Sequence, residues 1–242
     1  GLAKELAAET AEIMCAVLRY LSPASVSHNI AYPCSPLGSE LVAKQTAIFL
    51  KDGKLNLLSE GLRNLGLFNW KLSRAEIDNF MRRPMGKAVA FLERRKLNDF
   101  QSCLKRAFLS YSRGIGQFDS HERLVAAVGA LEILFLPNGS EGRLSNVAER
   151  LAFFVSDKPE ERKIIVKNYS EIYKIRSKYL HHRLSVGDEI EMERFFRHVW
   201  CAFYLLLARF EKYKTHKEFI DEVDSVKFGA TLYSDVDAKF ST

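Results

Sequence analysis

Arg176, Ser177, His181 and His182 stand close together in the stretch IYKIRSKYLHHRL, Ile172 to Leu184. An imidazole titrates near neutrality and can give or take a proton. A guanidinium keeps its charge at any accessible pH and offers a rigid fork of donors to an oxyanion. A hydroxyl between them can orient either one or bind an oxygen itself. Proton transfer combined with anion stabilisation is therefore the chemistry these residue types can do.

Their placement is unusual. At about 100° per residue, Ile165, Tyr169, Ile172, Tyr173, Tyr179 and Leu180 all lie within roughly 60° of Arg176. The arginine thus occupies the middle of an apolar stripe, where it must find acceptors or water. A second misplaced charge suggests the acceptor. Between Leu124 and Leu136 every residue is apolar or glycine except Glu132. A Glu132–Arg176 pair across two packed helices satisfies both groups, and removing one member would cost about 3–5 kcal/mol. Such a pair is either purely structural or the support of a catalytic arginine at the edge of a cleft; the two roles are compatible. His181 falls about 140° round the helix from Arg176. The two meet only if the helix frays, if the arginine curls round, or if two subunits share one site. The plain alternative leaves both histidines at the helix C-terminus, facing its dipole and solvent.

Helical spacing recurs along most of the 242 residues. Residues 2–21 form a first helix stopped by SPAS. An irregular insertion near residues 25–70 follows, where Asp52-Gly53 closes either a hairpin or a short helix. SRAEIDNF carries a serine cap with Glu76 at the capping-box position. Pro84 opens one long segment through Arg113, and an acidic cap starts DSHERLVAAVGALEILFLPNG. RLSNVAERLAFFV is a shorter helix. Asp157 and Pro159 open the helix that carries Arg176. A long C-terminal helix spans 187–213, and the tail from Lys214 is expected to pack loosely. No Pro/Gly/Ser-rich linker divides the chain, so residues 1–242 read as one all-α domain.

A 47% hydrophobic and 27% charged composition is ordinary for a globular protein, and the formal charge of +6 permits a polyanionic partner without demanding one. Cys15, Cys34, Cys103 and Cys201 are scattered without a C-x-x-C pair, which points away from a zinc site or a disulfide framework and toward a cytoplasmic setting. The most apolar window, Val199 to Phe210, is too short to span a bilayer, so no membrane partner is expected. No Walker loop, metal triad or dinucleotide fingerprint occurs, and neither metal nor cofactor is expected.

RSKYLHH, Arg176 to His182, resembles the R-x(4–6)-H signature of the HEPN superfamily. The surrounding RLVAAVGALEILFLPNGSEG and RLSNVAERLAFFVSDKPEERKIIVKNYSEIYKIRSKYLHH resemble its ApeA-like branch. The resemblance is closest over 122–182; LRYLSPASV and the helix before Arg123 carry it through residues 1–121. It implies an all-α HEPN-type bundle that dimerises so that two motifs line one cleft. It further implies a metal-independent endoribonuclease, of the toxin or antiviral-defence kind, cutting single-stranded RNA through its own 2′-hydroxyl. In that role His181, or His182 within the permitted spacing, moves protons. Arg176 stabilises the phosphate, Ser177 positions, and Glu132 orients Arg176. Lys178 and Arg183 join the RNA-binding surface, and the basic runs MRRPMGK and LERRKL either guide RNA or form ordinary solvated faces. Other members of the family are non-catalytic nucleotide- or protein-binding and dimerisation modules, which is the alternative function. A third reading is a helical bundle with a buried Glu132–Arg176 pair and no ligand. A sensing domain or partner outside this chain fits either family role.

Overall fold

Apolar residues recurring three and four positions apart produce eight α-helices among the described residues: α1 (Leu2–Leu21), α2 (Pro84–Leu92), α3 (Asp99–Ile115), α4 (Ser120–Phe135), α5 (Arg143–Val155), α6 (Pro159–His182), α7 (Glu189–Ala208) and α8 (His216–Val226). A 3-10 turn, Pro23–Ser25, follows α1. The computed structural model describes residues 2–27, 34, 45–51, 54–60, 73–75, 78–79, 84–117, 119–137, 142–182 and 188–229. The fold is an all-α bundle. Its one described ladder pairs β1 (Gln45–Lys51) antiparallel with β2 (Lys54–Glu60), Gln45 opposite Glu60 and Lys51 opposite Lys54. Asp52, Gly53 and Glu76 lie outside the described residues.

Short polar side chains set the helix starts. Asp119 accepts hydrogen bonds from the backbone N–H groups of His121 and Glu122, and Asp188 does the same for Ile190 and Glu191. The single long segment expected from Pro84 to Arg113 is two helices. Asn98 accepts from the N–H of Gln101 at 2.8 Å while the Gln101 side chain accepts from the N–H of Asn98, a reciprocal box that starts α3 afresh. Glu93 to Lys96, charged and without an apolar stripe, supplies nothing to hold the helix through the gap. Before α6 it is Ser156 rather than Asp157 that engages the first turn: its hydroxyl accepts from the N–H of Lys158 and donates to Glu161.

One contiguous core runs from Ile13 to Val226. α4 contributes Leu124, Ala127, Val128 and Leu131, all fully buried, and packs on α3, α5, α6 and α7. α3 and α4 approach closely because residue 114 is glycine; a Cβ there would stand 2.5 Å from that of Ala126. The tail is a correction to the sequence expectation. Phe219, Ile220 and Val223 of α8 are buried, and the Phe219 ring meets Phe100, Phe135, Phe154 and Tyr213. The spacing 219, 220, 223, 226 places these residues on one helical face, and Thr215 caps it. No helix among the described residues is long and apolar enough to cross a membrane.

Candidate functional site

α6 carries two faces with different tasks. Its inner face buries Ile165, Tyr169, Ile172 and Tyr179 against the core. Arg176 projects from this face toward α4, where its Nη2 stands 3.7 Å from Oε2 of Glu132. The two misplaced charges of the sequence do meet. Their side chains are 18% and 17% exposed, so the pair sits at the rim of the interior, neither sealed nor open.

The contact is an ion pair too long to be a hydrogen bond. Nε of Arg176, Oε1 of Glu132 and the hydroxyl of Tyr169 are all buried without a hydrogen-bond partner among the described residues. The guanidinium lies over the Tyr173 ring at 5.3 Å, which shields one of its faces. Burial, reinforced by the nearby Glu132 carboxylate, raises the Tyr169 phenol above its ordinary range and keeps it protonated. Next to Glu132 the α4 surface drops away: a Cβ at Gly129 would meet nothing within 4 Å.

Ser177 is half-buried beside Arg176, whereas Lys178 and His181 are exposed on the outer side of the helix. Within one chain, then, Arg176 and Glu132 come together and His181 turns away from them, as the angular spacing requires. His182 lies in the last turn of α6, its side chain outside the described set, and Arg183 lies outside the described residues altogether. Leu180, placed on the apolar stripe by its spacing, is 45% exposed because the stripe outruns its cover at the end of α6.

Tyr179 anchors that end. Its hydroxyl donates to Oε1 of Glu122 at 2.8 Å, with Oδ2 of Asp119 at 3.4 Å, and its ring stacks on His121 with centroids 4.9 Å apart. The last turn of α6, and His181 with it, is thereby tied to the N-terminus of α4. This polar anchor was missed because Tyr179 and His121 each fit their helices as ordinary amphipathic residues.

Three more arginines escaped notice in the sequence. Arg19 and Arg123 are buried, and Arg123 donates to the backbone carbonyls of Ala24 and Ser27 while lying over the Phe196 ring. Burial lowers its pKa to about 10. Arg150 forks onto Asp224 through Nε and Nη2 at 2.9 and 2.8 Å, and its Nη1 donates to the Phe135 carbonyl at 2.7 Å. His216 meets the Leu134 carbonyl at 2.6 Å, so α8 and α5 between them occupy the carbonyl end of α4. His198, in the seam of α6 and α7, is held neutral: burial and then Arg194 lower its pKa to about 4. The angular test that exposed Arg176 flags Arg123 and Arg150 as well, since Arg123 shares a face with buried Ala127 and Ala130 and Arg150 with buried Val147 and Phe154.

Among the described residues, no three His, Cys, Asp or Glu side chains converge as metal ligands. Comparisons with protein-family models, curated proteins and solved structures return no match to this chain. What the arrangement can do follows from its own groups. A guanidinium at the rim of the interior with an unused donor can take an oxyanion, and an exposed imidazole on the same helix can move a proton.

Proposed function

We propose that this chain is a metal-independent endoribonuclease of the HEPN type, cutting single-stranded RNA and working as a dimer in the cytoplasm as a toxin or antiviral-defence effector. The observation that supports this reading is the state of Arg176: anchored by Glu132 and Tyr173 at the rim of the core, its donors unsaturated, with the exposed His181 one and a half turns further along α6. Because the two side chains point about 140° apart, the site is composite. The imidazole of one protomer serves the guanidinium of its partner.

In this mechanism His181 takes the proton of the 2′-hydroxyl or gives one to the leaving 5′-oxygen. Arg176 stabilises the charge that builds on the phosphate. Ser177 positions the phosphate oxygens, and Glu132 holds the arginine's orientation from behind. Lys178 and Arg183 contribute to RNA binding, and His182 is the second candidate for the proton-transfer role. The products are a 2′,3′-cyclic phosphate and a 5′-hydroxyl.

The test is cleavage of single-stranded RNA in EDTA by the wild type and by His181→Ala, with analysis of product ends. Cleavage by the wild type alone, with cyclic ends, is expected. Equal cleavage by both, or none by the wild type across several RNAs, removes the proposal. The engagement of Arg176 with Glu132 favours a second reading, a non-catalytic HEPN nucleotide- or protein-binding and dimerisation module. That reading predicts a dimer that binds without cutting.

A further inference from the structure

The outer face of α6 carries a second cluster of charge, apart from the Glu132–Arg176 pair. Lys167, Lys174, Lys178 and His181 all lie within about 60° of one another on the helix, and all are exposed. They line one edge over fourteen residues, about 21 Å at a 1.5 Å rise. Lys163 continues the edge one turn back, paired with Glu160 at 3.0 Å. The one carboxylate inside the line is Glu171, which touches Lys174 at 2.8 Å and is held below the ordinary carboxylate range first by that contact, with Lys167 and Lys178 adding to it.

On the other helices many cations are paired: Lys105 with Glu9, Arg113 with Glu12, Arg197 with Glu193, Lys217 with Asp221 and Lys227 with Glu149. Exposed Arg95, Lys96 and Lys214 have no such pair among the described residues, but they lie outside the helices and form no line along one. Lys167 and Lys178 have no carboxylate within 4 Å among the described residues. The excess of positive charge on α6 is therefore linear, solvent-facing, and directed at His181. A single phosphodiester contact needs no such length; a chain of regularly spaced anions does.

We infer that this edge is the track of the RNA strand, a single-stranded polyanion laid along α6 from Lys167 toward His181. This deepens the nuclease reading and rests on it for the choice of RNA as ligand. The lysines act on the phosphates alone and carry no sequence information. Arg176 faces the opposite side of the helix and takes no part in the track.

The test uses His181→Ala as the parent, so that binding is read without cleavage. A fluorescein-labelled single-stranded RNA is titrated at several salt concentrations. In Lys167→Gln/Lys178→Gln the slope of log affinity against log salt is expected to flatten by about 1.4, two phosphates at ~0.7 each, and affinity at low salt to fall about tenfold or more. Lys212→Gln/Lys217→Gln, in lysines already matched to Glu222 and Asp221, is the control and is expected to move neither. An unchanged slope in the α6 variant, or an equal change in the control, overturns the track. Polyglutamate of equal charge that displaces the RNA as well as unlabelled RNA does would reassign the edge to an acidic protein and overturn it too. The two proposals fail separately. A flattened slope with no cleavage by the wild type leaves the track and sinks the nuclease; cleavage with an unchanged slope does the reverse.

Discussion

Among the described residues two largely buried arginines reach a carboxylate on another helix, and they are finished differently. Arg150 is 8% exposed, and all three of its nitrogens have acceptors between 2.7 and 2.9 Å: both oxygens of Asp224 and the Phe135 carbonyl. Arg176 has one ionic contact at 3.7 Å, a buried Nε with no acceptor, and beside it a carboxylate oxygen and a phenol equally unused. A buried polar group left without a partner costs about 1–3 kcal/mol. The first arginine is complete without a ligand; the second keeps hydrogen-bonding capacity that packing alone would have consumed. Unsaturation at a rim, rather than burial of charge as such, is what separates a candidate site from a structural pair.

The comparison breaks most easily at Arg150. Arg150→Ala leaves the Phe135 carbonyl without its donor and Asp224 with only Lys227 at 3.7 Å, and is expected to lower unfolding free energy by about 3–5 kcal/mol, read by urea denaturation. A loss under about 1 kcal/mol would mean that the saturated pair is decoration, and the contrast with Arg176 would lose its meaning.

Acid unfolding gives the next largest effect. Burial and Arg194 depress His198 to about 4, against roughly 6.5 in an unfolded chain. Between those values the unfolded chain binds more protons than the folded one, so stability is full above about pH 6.5 and falls as pH drops toward 4. A His198→Gln variant is expected to flatten that part of the profile by on the order of 2–3 kcal/mol relative to the wild type. Asp224 acts in a lower window. Burial alone would raise its carboxyl, but the Arg150 hydrogen bonds and charge outweigh that and hold it below the usual aspartate range. Its stabilisation is present above the unfolded aspartate value of about 3.9 and is lost as pH falls through the folded one. Asp224→Asn should remove that lower step and leave the upper one. A profile in which neither variant changes its own window would show that these two groups do not govern the acid limb.

How much of this was legible in the sequence depends on how local the signal was. Helix positions followed from apolar spacing, and the Glu132–Arg176 contact followed from asking where a charge interrupts an apolar stripe. Arg150 interrupts one too, but its partner lies 74 residues away on α8, in a tail whose short apolar face carries little weight beside the long helices. The break before α3 was hidden because Glu93 to Lys96 are good helix formers, and only the Asn98–Gln101 box, confirmed by geometry, stops the chain there. At the site itself, spacing gave the angle between Arg176 and His181. It could not give the anchor of Tyr179 on Glu122 and Asp119, because a tyrosine on an apolar stripe does not announce what its hydroxyl will reach.

The smallest stability effect belongs to the residue with the largest expected functional one. Arg176→Lys keeps a positive charge beside Glu132 and removes only the fork, so unfolding free energy should change by less than about 1 kcal/mol. Arg150→Lys removes the fork from a site that uses every prong of it, and about 2–3 kcal/mol should be lost, between the cost of a missing hydrogen bond to a charged group and that of a broken buried pair. Cleavage should respond in the opposite order: Arg176→Lys loses most activity on single-stranded RNA, because a point charge cannot hold two oxygens of one phosphate at once, whereas Arg150→Lys keeps it at temperatures where the fold survives. If the two substitutions cost the same in stability, Arg176 is as finished a structural residue as Arg150, and its unused donors have no bearing on RNA.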